Sequence, residues 1–581
     1  MLIMATLTAA TVRSRSLEAA GWSRYRYLFL TAGYLLSLAS RLPALLFAPR
    51  GFFYNTDELT MGLRSLDSFI GVPVVSLAWP GSILNLLSLP VFLVDFLRSS
   101  HLPRTLPQGI SLFTDYLAHA YADPRHSILL VRWIVAITCS VSPILAYYIG
   151  VRLSKSRFVG FACAVLVSFQ PTFYQESVMA AGDAVSITFA LAAILCLLRE
   201  TGRRSAAWAG FLMSAGLAAK ITVASLTVLP VLLILLERPL AFRERAGLLL
   251  RFSGGLAVGF MLCCPYVWTE PVRFAKAVAG NLSKPGSAGN LAAFFSTWSE
   301  AMGITFSALA LFAVVGGICL LVFREETRLV IASFAALIAT LAPPFLHATT
   351  AYPRYFLPAL PCLVVLLAVA FGIFNWDYPR VRRWRVPALA LVALAGSTSC
   401  GETWARERSL RGPDEFASAV KVIQTLPREI TLFLPEESLL TFEVPLSQQD
   451  CLPMRDRARH GLESEDDVLE FAQARGIPAR SASVILWSLN EQEQADYRRL
   501  AAACTVAPPD SGSIYFYYAP YNARSDPRNV NARRVSLASM DLAAAIQAIQ
   551  RTGDAAILVP FAVASLGKPL WSGARWRWYR R

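Results

Sequence analysis

Apolar runs dominate this chain. Up to about Cys400, stretches of roughly 17–25 largely apolar residues alternate with short polar loops. That is the length an α-helix needs to cross a hydrocarbon core about 30 Å thick. The composition agrees: 55% of residues are hydrophobic, only 16% are charged, and mean hydropathy is +0.47. Soluble globular proteins carry about 25% charged residues, so a soluble fold is excluded.

The first crossing is expected at about Tyr27–Ala48. A polar-to-mixed stretch, 50–126, follows and contains a shorter apolar run, Ile83–Phe96, which holds Asn85, Pro90 and Asp95. At about 14 residues that run reads as an interfacial or re-entrant helix. Further crossings are expected near Ser127–Val151, Phe158–Phe173, Ala184–Leu198, Ala206–Ala219, Ile221–Leu236, Ala246–Trp268, Ala301–Phe323, Leu329–Leu346, Phe356–Phe374 and Val386–Cys400. The total is about eleven.

The formal charge of +15 is accounted for without nucleic acid. The basic residues sit in short loops between apolar runs, as the positive-inside rule requires. Arg152, Lys155 and Arg157 occupy one such loop; Arg199, Arg203 and Arg204 the next; then Arg238, Arg243 and Arg245; Arg324 and Arg328; and Arg380, Arg382, Arg383 and Arg385. The loop Tyr174–Gly182, assigned to the opposite side, has neither Lys nor Arg. Arg13, Arg15, Arg24 and Arg26 precede a run too long for a signal-peptide core, so segment 1–26 is expected in the cytoplasm and the first run is expected to be retained. The excess of Arg over Lys hints at a GC-rich bacterial genome, hence a bacterial inner membrane. Alternation then carries everything after Cys400 to the extracytoplasmic side.

That last part, 401–581, changes character. Ile430–Leu434 and Ser483–Trp487 read as buried strands, Asp466–Ala474 and Glu491–Ala503 as helices, Ser513–Tyr518 as a strand, and Leu542–Ile549 with Ala555–Val559 as a helix–strand pair. Strands alternating with helices imply a small α/β domain. The tail Trp571–Arg581 is basic and aromatic and suits either a membrane interface or a last strand. Of the ten cysteines, most lie in apolar runs and read as small hydrophobes without metal-ligand spacing. Cys451 and Cys504 fall in the extracytoplasmic part, where they could form a disulfide.

Ionisable groups at a bilayer are costly and are candidates for function. On the face assigned outside stand Asp57 and Glu58 after the first run, Asp183 opening the fourth, Lys220 between the fifth and sixth, Arg132 near the outer end of the second, and Arg354 just before the tenth. Each has a plain alternative. Asp57 caps a helix as readily as it takes a proton, Asp183 complements a helix dipole, and Lys220 can snorkel. Together they place carboxylates, which an acceptor hydroxyl needs, beside cations, which a phosphate leaving group needs. That combination points to group transfer from a lipid phosphate.

The order of motifs resembles a known family. It runs Asp57-Glu58, Trp79-Pro80-Gly81, Val131-Arg132-Trp133, Pro171 to Ser177 to Asp183, Lys220, Tyr352-Pro353-Arg354-Tyr355 and Arg411-Gly412-Pro413-Asp414-Glu415. The pattern is similar to the GT-C glycosyltransferases, on the branch of the protein O-mannosyltransferases and the lipid A aminoarabinose transferase, over about residues 25–430. The resemblance implies a GT-C-like transmembrane domain over 27–400, including outer loop 50–126, followed by the domain at 401–581. It implies transfer of a sugar from a polyprenyl-phosphate carrier to an acceptor outside the cytoplasm, with inversion. Asp57 would be the base and Glu58 its helper. Asp183 and Glu176 would position acceptor or sugar, and Arg132, Lys220, Arg354 and Tyr352 would hold the donor phosphate. The lipid-linked sugar is then a substrate; no divalent metal or other cofactor is expected, and the partners are that lipid, membrane lipids and an unknown protein, lipid or glycan acceptor. The extended Trp-Trp-Asp-type motif of the oligosaccharyltransferase branch is missing from the sequence after the last span. A transporter or flippase of lipid-linked sugars is the main rival, but it predicts inverted repeats and midplane charges that the sequence lacks. A non-catalytic envelope-assembly protein is the third reading.

Overall fold

The computed structural model describes residues 26–46, 61, 82–99, 112–113, 116, 125–199, 202–237, 240–269, 271–282, 291–323, 327–346, 352–372, 398, 401, 431–433, 555–559, 571–572 and 577–580. Two compact units emerge. One comprises 1–46, 76–84 and 132–408; the other 47–75, 85–131 and 409–581.

The first unit is helical. Its described helices are α1 (Arg26–Leu46), α2 (Ser82–Ser99) where it begins, α3 (Arg125–Cys139) from Arg132 on, α4 (Ser142–Ser154), α5 (Arg157–Phe169), α6 (Pro171–Glu176), α7 (Asp183–Arg199), α8 (Arg203–Ala219), α9 (Val228–Leu235), α10 (Phe242–Cys263), α11 (Tyr266–Thr269), α12 (Pro271–Leu282), α13 (Leu291–Phe323), α14 (Thr327–Leu346) and α15 (Ala359–Gly372). Short 3-10 turns at Ile221–Thr227 and Pro353–Phe356 lead into α9 and α15.

Among the described residues, five segments are long and apolar enough to cross a membrane: Ser82–Ser99, His126–Ser154, Phe242–Cys263, Leu291–Val322 and Thr327–Leu346. Arg157–Phe169, Asp183–Leu198, Ile221–Leu235 and Ala359–Gly372 are apolar but shorter. The expected second crossing is two helices broken at Ser140–Val141, with Pro143 opening the second as a helix N-terminus favours. The run at Ile83–Phe96 belongs to an 18-residue helix, so its length no longer argues for an interfacial position. The crossing expected from Ala301 coincides with a break at Gly303, whose φ of 72° is open to glycine; the helical chain resumes on both sides. Helix α12 has no counterpart in the sequence reading. The run at Val386–Cys400 lies, apart from Thr398, outside the described residues.

Packing follows the small residues. Helices α8 and α10 lie close because a Cβ at Gly210 would strike the Phe252 carbonyl, and one at Gly255 the Ala207 carbonyl. Helix α15 is buried on all sides from Ala359 to Phe371, as a central helix that is apolar all round should be. It packs on α4, α5, α13 and α14. Leu250, Leu262, Ile304 and Leu311 on α10 and α13 stand exposed, which in a membrane protein is surface for lipid.

In the second unit, Asp95 on the later part of α2 accepts a hydrogen bond from the Tyr116 hydroxyl at 2.8 Å and lies 3.0 Å from His126 Nε2. Phe96 and Phe113 pack edge-to-face beside it. Burial, and then the bond to Asp95, hold the Tyr116 phenol above its ordinary range. Four short strands form a mixed sheet in the order β1 (Thr431–Phe433), β2 (Ala555–Val559), β4 (Arg577–Arg580), β3 (Trp571–Ser572). β1 runs parallel to β2, with Thr431 opposite Ala555, and β4 runs antiparallel to both β2 and β3. The strands expected at Ile430–Leu434 and Ala555–Val559 are present, at Thr431–Phe433 and Ala555–Val559, and the aromatic tail contributes strands at Trp571–Ser572 and Arg577–Arg580. The elements expected between 466 and 549, with Cys451 and Cys504, lie outside the described residues.

Candidate functional site

Two local features bring charges together at one end of the helical unit. Helix α8 ends at Ala219, and Lys220 follows in extended conformation (φ −155°, ψ 125°) before the 3-10 turn. Gly182 lies against the Ala219 carbonyl so closely that a Cβ would collide with it. The next residue along each strand of chain, Asp183 and Lys220, therefore meet: Oδ2 and Nζ are 3.0 Å apart, with side chains 2% and 5% exposed. Asp183 opens α7 and Lys220 caps α8, and each sign complements the dipole of its own helix end.

A second cluster centres on Arg41, which is fully buried in α1. Its Nε donates to Ser177 Oγ at 2.8 Å, and its Nη1 donates to the Ser37 carbonyl at 2.7 Å and to Ser37 Oγ at 2.9 Å. The guanidinium carbon lies 5.8 Å from the Tyr174 ring centroid. Nη2 is buried without a hydrogen bond. Among the described residues no carboxylate lies within ion-pair distance of Arg41. The Cys139 thiol is in electrostatic reach of both Arg41 and Glu176 and hydrogen-bonds Thr188, whose hydroxyl is 2.7 Å from Ser142 Oγ.

The segment between these clusters is pinned. Pro171 opens α6, and Gln170 accepts from the Phe173 N–H as its cap. Gln170 and Thr172 both donate to the Ala301 carbonyl, at 2.8 and 2.5 Å. Tyr174 donates to the Ser40 carbonyl at 2.7 Å, tying α6 to α1. The turn Pro353–Phe356 packs against α6 and α13. There the Arg354 guanidinium carbon lies 5.2 Å from the Tyr352 ring centroid and 5.9 Å from that of Tyr355.

Of the residues singled out in the sequence, Glu176, Asp183, Lys220, Arg354 and Tyr352 thus fall at the same end, the first three buried and Tyr352 exposed. Arg132 is buried next to Trp133, which packs on the Ala44–Leu45–Ala136–Val178 cluster at that end. Asp57, Glu58 and Trp79-Pro80-Gly81 lie outside the described residues. Two points differ from expectation. Asp183 and Lys220, assigned to different substrates, are each other's partner. Arg41 was overlooked, although an arginine two-thirds of the way along an apolar run was a signal in plain view.

A bundle of apolar helices that buries an aspartate, a glutamate, a lysine and two arginines at one end is a polytopic membrane protein with an ionic site. Residues 112–249 match the sequence model of the family described as dolichyl-phosphate-mannose-protein mannosyltransferase. This match covers about a quarter of the chain and includes Arg132, Glu176, Asp183 and Lys220. That segment is therefore similar to this family of mannosyltransferases. Among solved structures, the ArnT of Cupriavidus metallidurans bound to undecaprenyl phosphate is similar over 97% of this chain and 98% of its own. The identity is 12% and the TM-score 0.39. The chain matches no curated protein.

Proposed function

We propose that the protein is a glycosyltransferase of the bacterial inner membrane that moves a sugar from a polyprenyl-phosphate carrier to an acceptor on the extracytoplasmic side. The N-terminus is cytoplasmic and the 401–581 domain extracytoplasmic in this reading. One observation carries it: the segment that matches the mannosyltransferase family also supplies the buried Asp183–Lys220 pair and Glu176, at the end of the bundle where Arg41 lies.

The chemistry is a single inverting displacement. Asp57 takes the proton of the acceptor hydroxyl or amine, with Glu58 assisting. The acceptor atom then bonds to the anomeric carbon as that carbon's bond to the phosphate oxygen breaks. The polyprenyl phosphate leaves with the electron pair and one more negative charge than it had as a diester. Cations held ready in a low-dielectric site stabilise that developing charge without reorganisation. Arg41, Arg132 and Arg354 serve there, with Tyr352 alongside. Lys220, half-neutralised by Asp183, sets the position of that carboxylate, and Asp183 and Glu176 orient acceptor or sugar. This route calls on no metal.

The test is Asp57→Asn in purified protein, assayed with radiolabelled polyprenyl-phosphate sugars. Loss of a general base lowers turnover by about 10²–10⁴-fold. Transfer at the wild-type rate would remove Asp57 from the mechanism. Transport of the intact lipid-linked sugar without bond cleavage would favour a flippase instead.

A further inference from the structure

Helix α12 takes no part in the candidate site. At 12 residues it is too short to cross a membrane, and its place is set by α10. Gly255 of α10 lies against Ala207 of α8, and Gly259 against Phe211. The two helices therefore run parallel, and α10 ends at Cys263 on the side where α8 reaches Lys220. Beyond Cys263 the chain turns back. Trp268 Nε1 donates to the Met261 carbonyl at 2.9 Å. The Phe274 ring meets the Phe260 ring edge-to-face, with centroids 6.0 Å apart. Phe260 belongs to the last turn of α10, so α12 starts level with the end of a helix long and apolar enough to cross the membrane.

The described side chains of α12 fall into two groups. Phe274 is half-buried against α10. Val272, Ala275 and Ala279 are exposed, and the helical repeat puts them within an arc of about 60° on another side. Val272 is 66% exposed, and the stripe continues the apolar surface of α10 and its turn, where Leu262 and Trp268 are 64% and 58% exposed. A contiguous apolar surface of this kind marks contact with protein or membrane. Lys276 is exposed as well, about 40° from Val272 round the helix. Cytoplasmic loop charge does not account for it. The basic loops lie at the other end of the bundle, and the loop Tyr174–Gly182 at this end has neither Lys nor Arg. An apolar stripe bordered by a cation, and reached through an exposed tryptophan, is the make-up of a helix lying in the plane of a bilayer surface.

We propose that α12 lies in the membrane interface at the end of the bundle that holds the candidate site. Val272, Ala275 and Ala279 rest on the first acyl carbons of the lipids, and the Lys276 ammonium meets the phosphate of an anionic phospholipid. The occupant is the lipid surface because the stripe is continuous with the lipid-facing side of α10. This contact requires no sugar transfer, so it stands whatever the outcome of Asp57→Asn.

The experiment uses the full-length protein with the photocrosslinking amino acid p-benzoylphenylalanine in place of Ala275, in vesicles of phosphatidylglycerol and phosphatidylcholine in equal amounts. Ala275 is exposed, so the larger side chain displaces no packing. The same amino acid in place of Leu250, on the lipid-facing side of α10, serves as the positive control. Adducts formed on irradiation are identified by mass spectrometry. The expected result at position 275 is phospholipid adducts with phosphatidylglycerol in excess. Lys276→Gln should lower that excess by about fivefold, as the loss of one cation near a headgroup predicts. Adducts to protein alone, whether another segment or a second copy, overturn the membrane placement. So does the absence of adducts at position 275 when the control reacts. An excess unchanged by Lys276→Gln overturns the contact between Lys276 and the headgroup.

Discussion

The two ends of α7 carry similar residues under opposite conditions. At the Asp183 end, a lysine meets an aspartate with both side chains at 5% exposure or less, and Arg41 is buried with neutral partners. At the Leu198 end, Arg328 pairs with Glu237 at 38% and 19% exposure, and Arg152 and Lys155 face water. Water screens the second group and lets basic residues accumulate there, which is what a loop between spans tolerates. It cannot screen the first. Each charge at the Asp183 end must be matched within the protein or by something the protein binds. Asp183 and Lys220 are matched internally. Arg41 has no carboxylate within ion-pair distance among the described residues, and an anion arriving from outside is the simplest counter-charge for it.

The comparison breaks most directly at Lys220. Lys220→Met leaves Asp183 buried without its partner, a change that costs about 3–5 kcal/mol when a buried pair loses one member. Thermal unfolding in detergent should show that loss, and Asp183→Asn combined with Lys220→Met should recover most of it. A double variant as unstable as the single one would mean that the two charges do not compensate each other. Arg41→Met should behave differently. It removes a charge that has no carboxylate partner among the described residues, along with its three hydrogen bonds, so the ligand-free protein should change by no more than about 1 kcal/mol in either direction. Protection by polyprenyl phosphate, measured by the same unfolding assay, should weaken by about 10–100-fold, the worth of a hydrogen bond to a charged group. If Arg41→Met is as destabilising as Lys220→Met and protection is unchanged, Arg41 is structural.

Most of the helices were legible because a crossing helix writes its length into the sequence. Helices α7, α8 and α14 fall within a few residues of the expected boundaries, and strand β2 matches Ala555–Val559. Breaks inside apolar runs were harder. Pro143 and Gly303 mark them, but a proline or glycine in an apolar run is as compatible with a kinked continuous helix as with two helices. The contact between Asp183 and Lys220 was beyond reach for a different reason. Loop charges assign both to one side of the membrane, whereas their pairing depends on Gly182 touching Ala219, a three-dimensional fact with no periodic signature. Arg41 was readable in principle. It was passed over because the run around it looked like an ordinary first span, and its bonds to Ser37 and Ser177 become evident only when α1 is seen against the turn after α6.

The smallest expected effect lies at the exposed end and gives the comparison its sharpest control. The Arg328–Glu237 pair is partly solvated, and such pairs contribute about 0–1 kcal/mol. Arg328→Gln should therefore shift thermal unfolding only slightly. Salt separates the two ends more clearly than the size of the shift does. Raising ionic strength from physiological to 1 M shortens the Debye length from about 8 Å to about 3 Å, which weakens an exposed pair and leaves a buried one nearly untouched. The difference between wild type and Arg328→Gln should shrink as salt is added, whereas the difference between wild type and Lys220→Met should persist. If both differences fade together, water reaches Asp183 and Lys220, and the site at that end is open rather than closed around its charges.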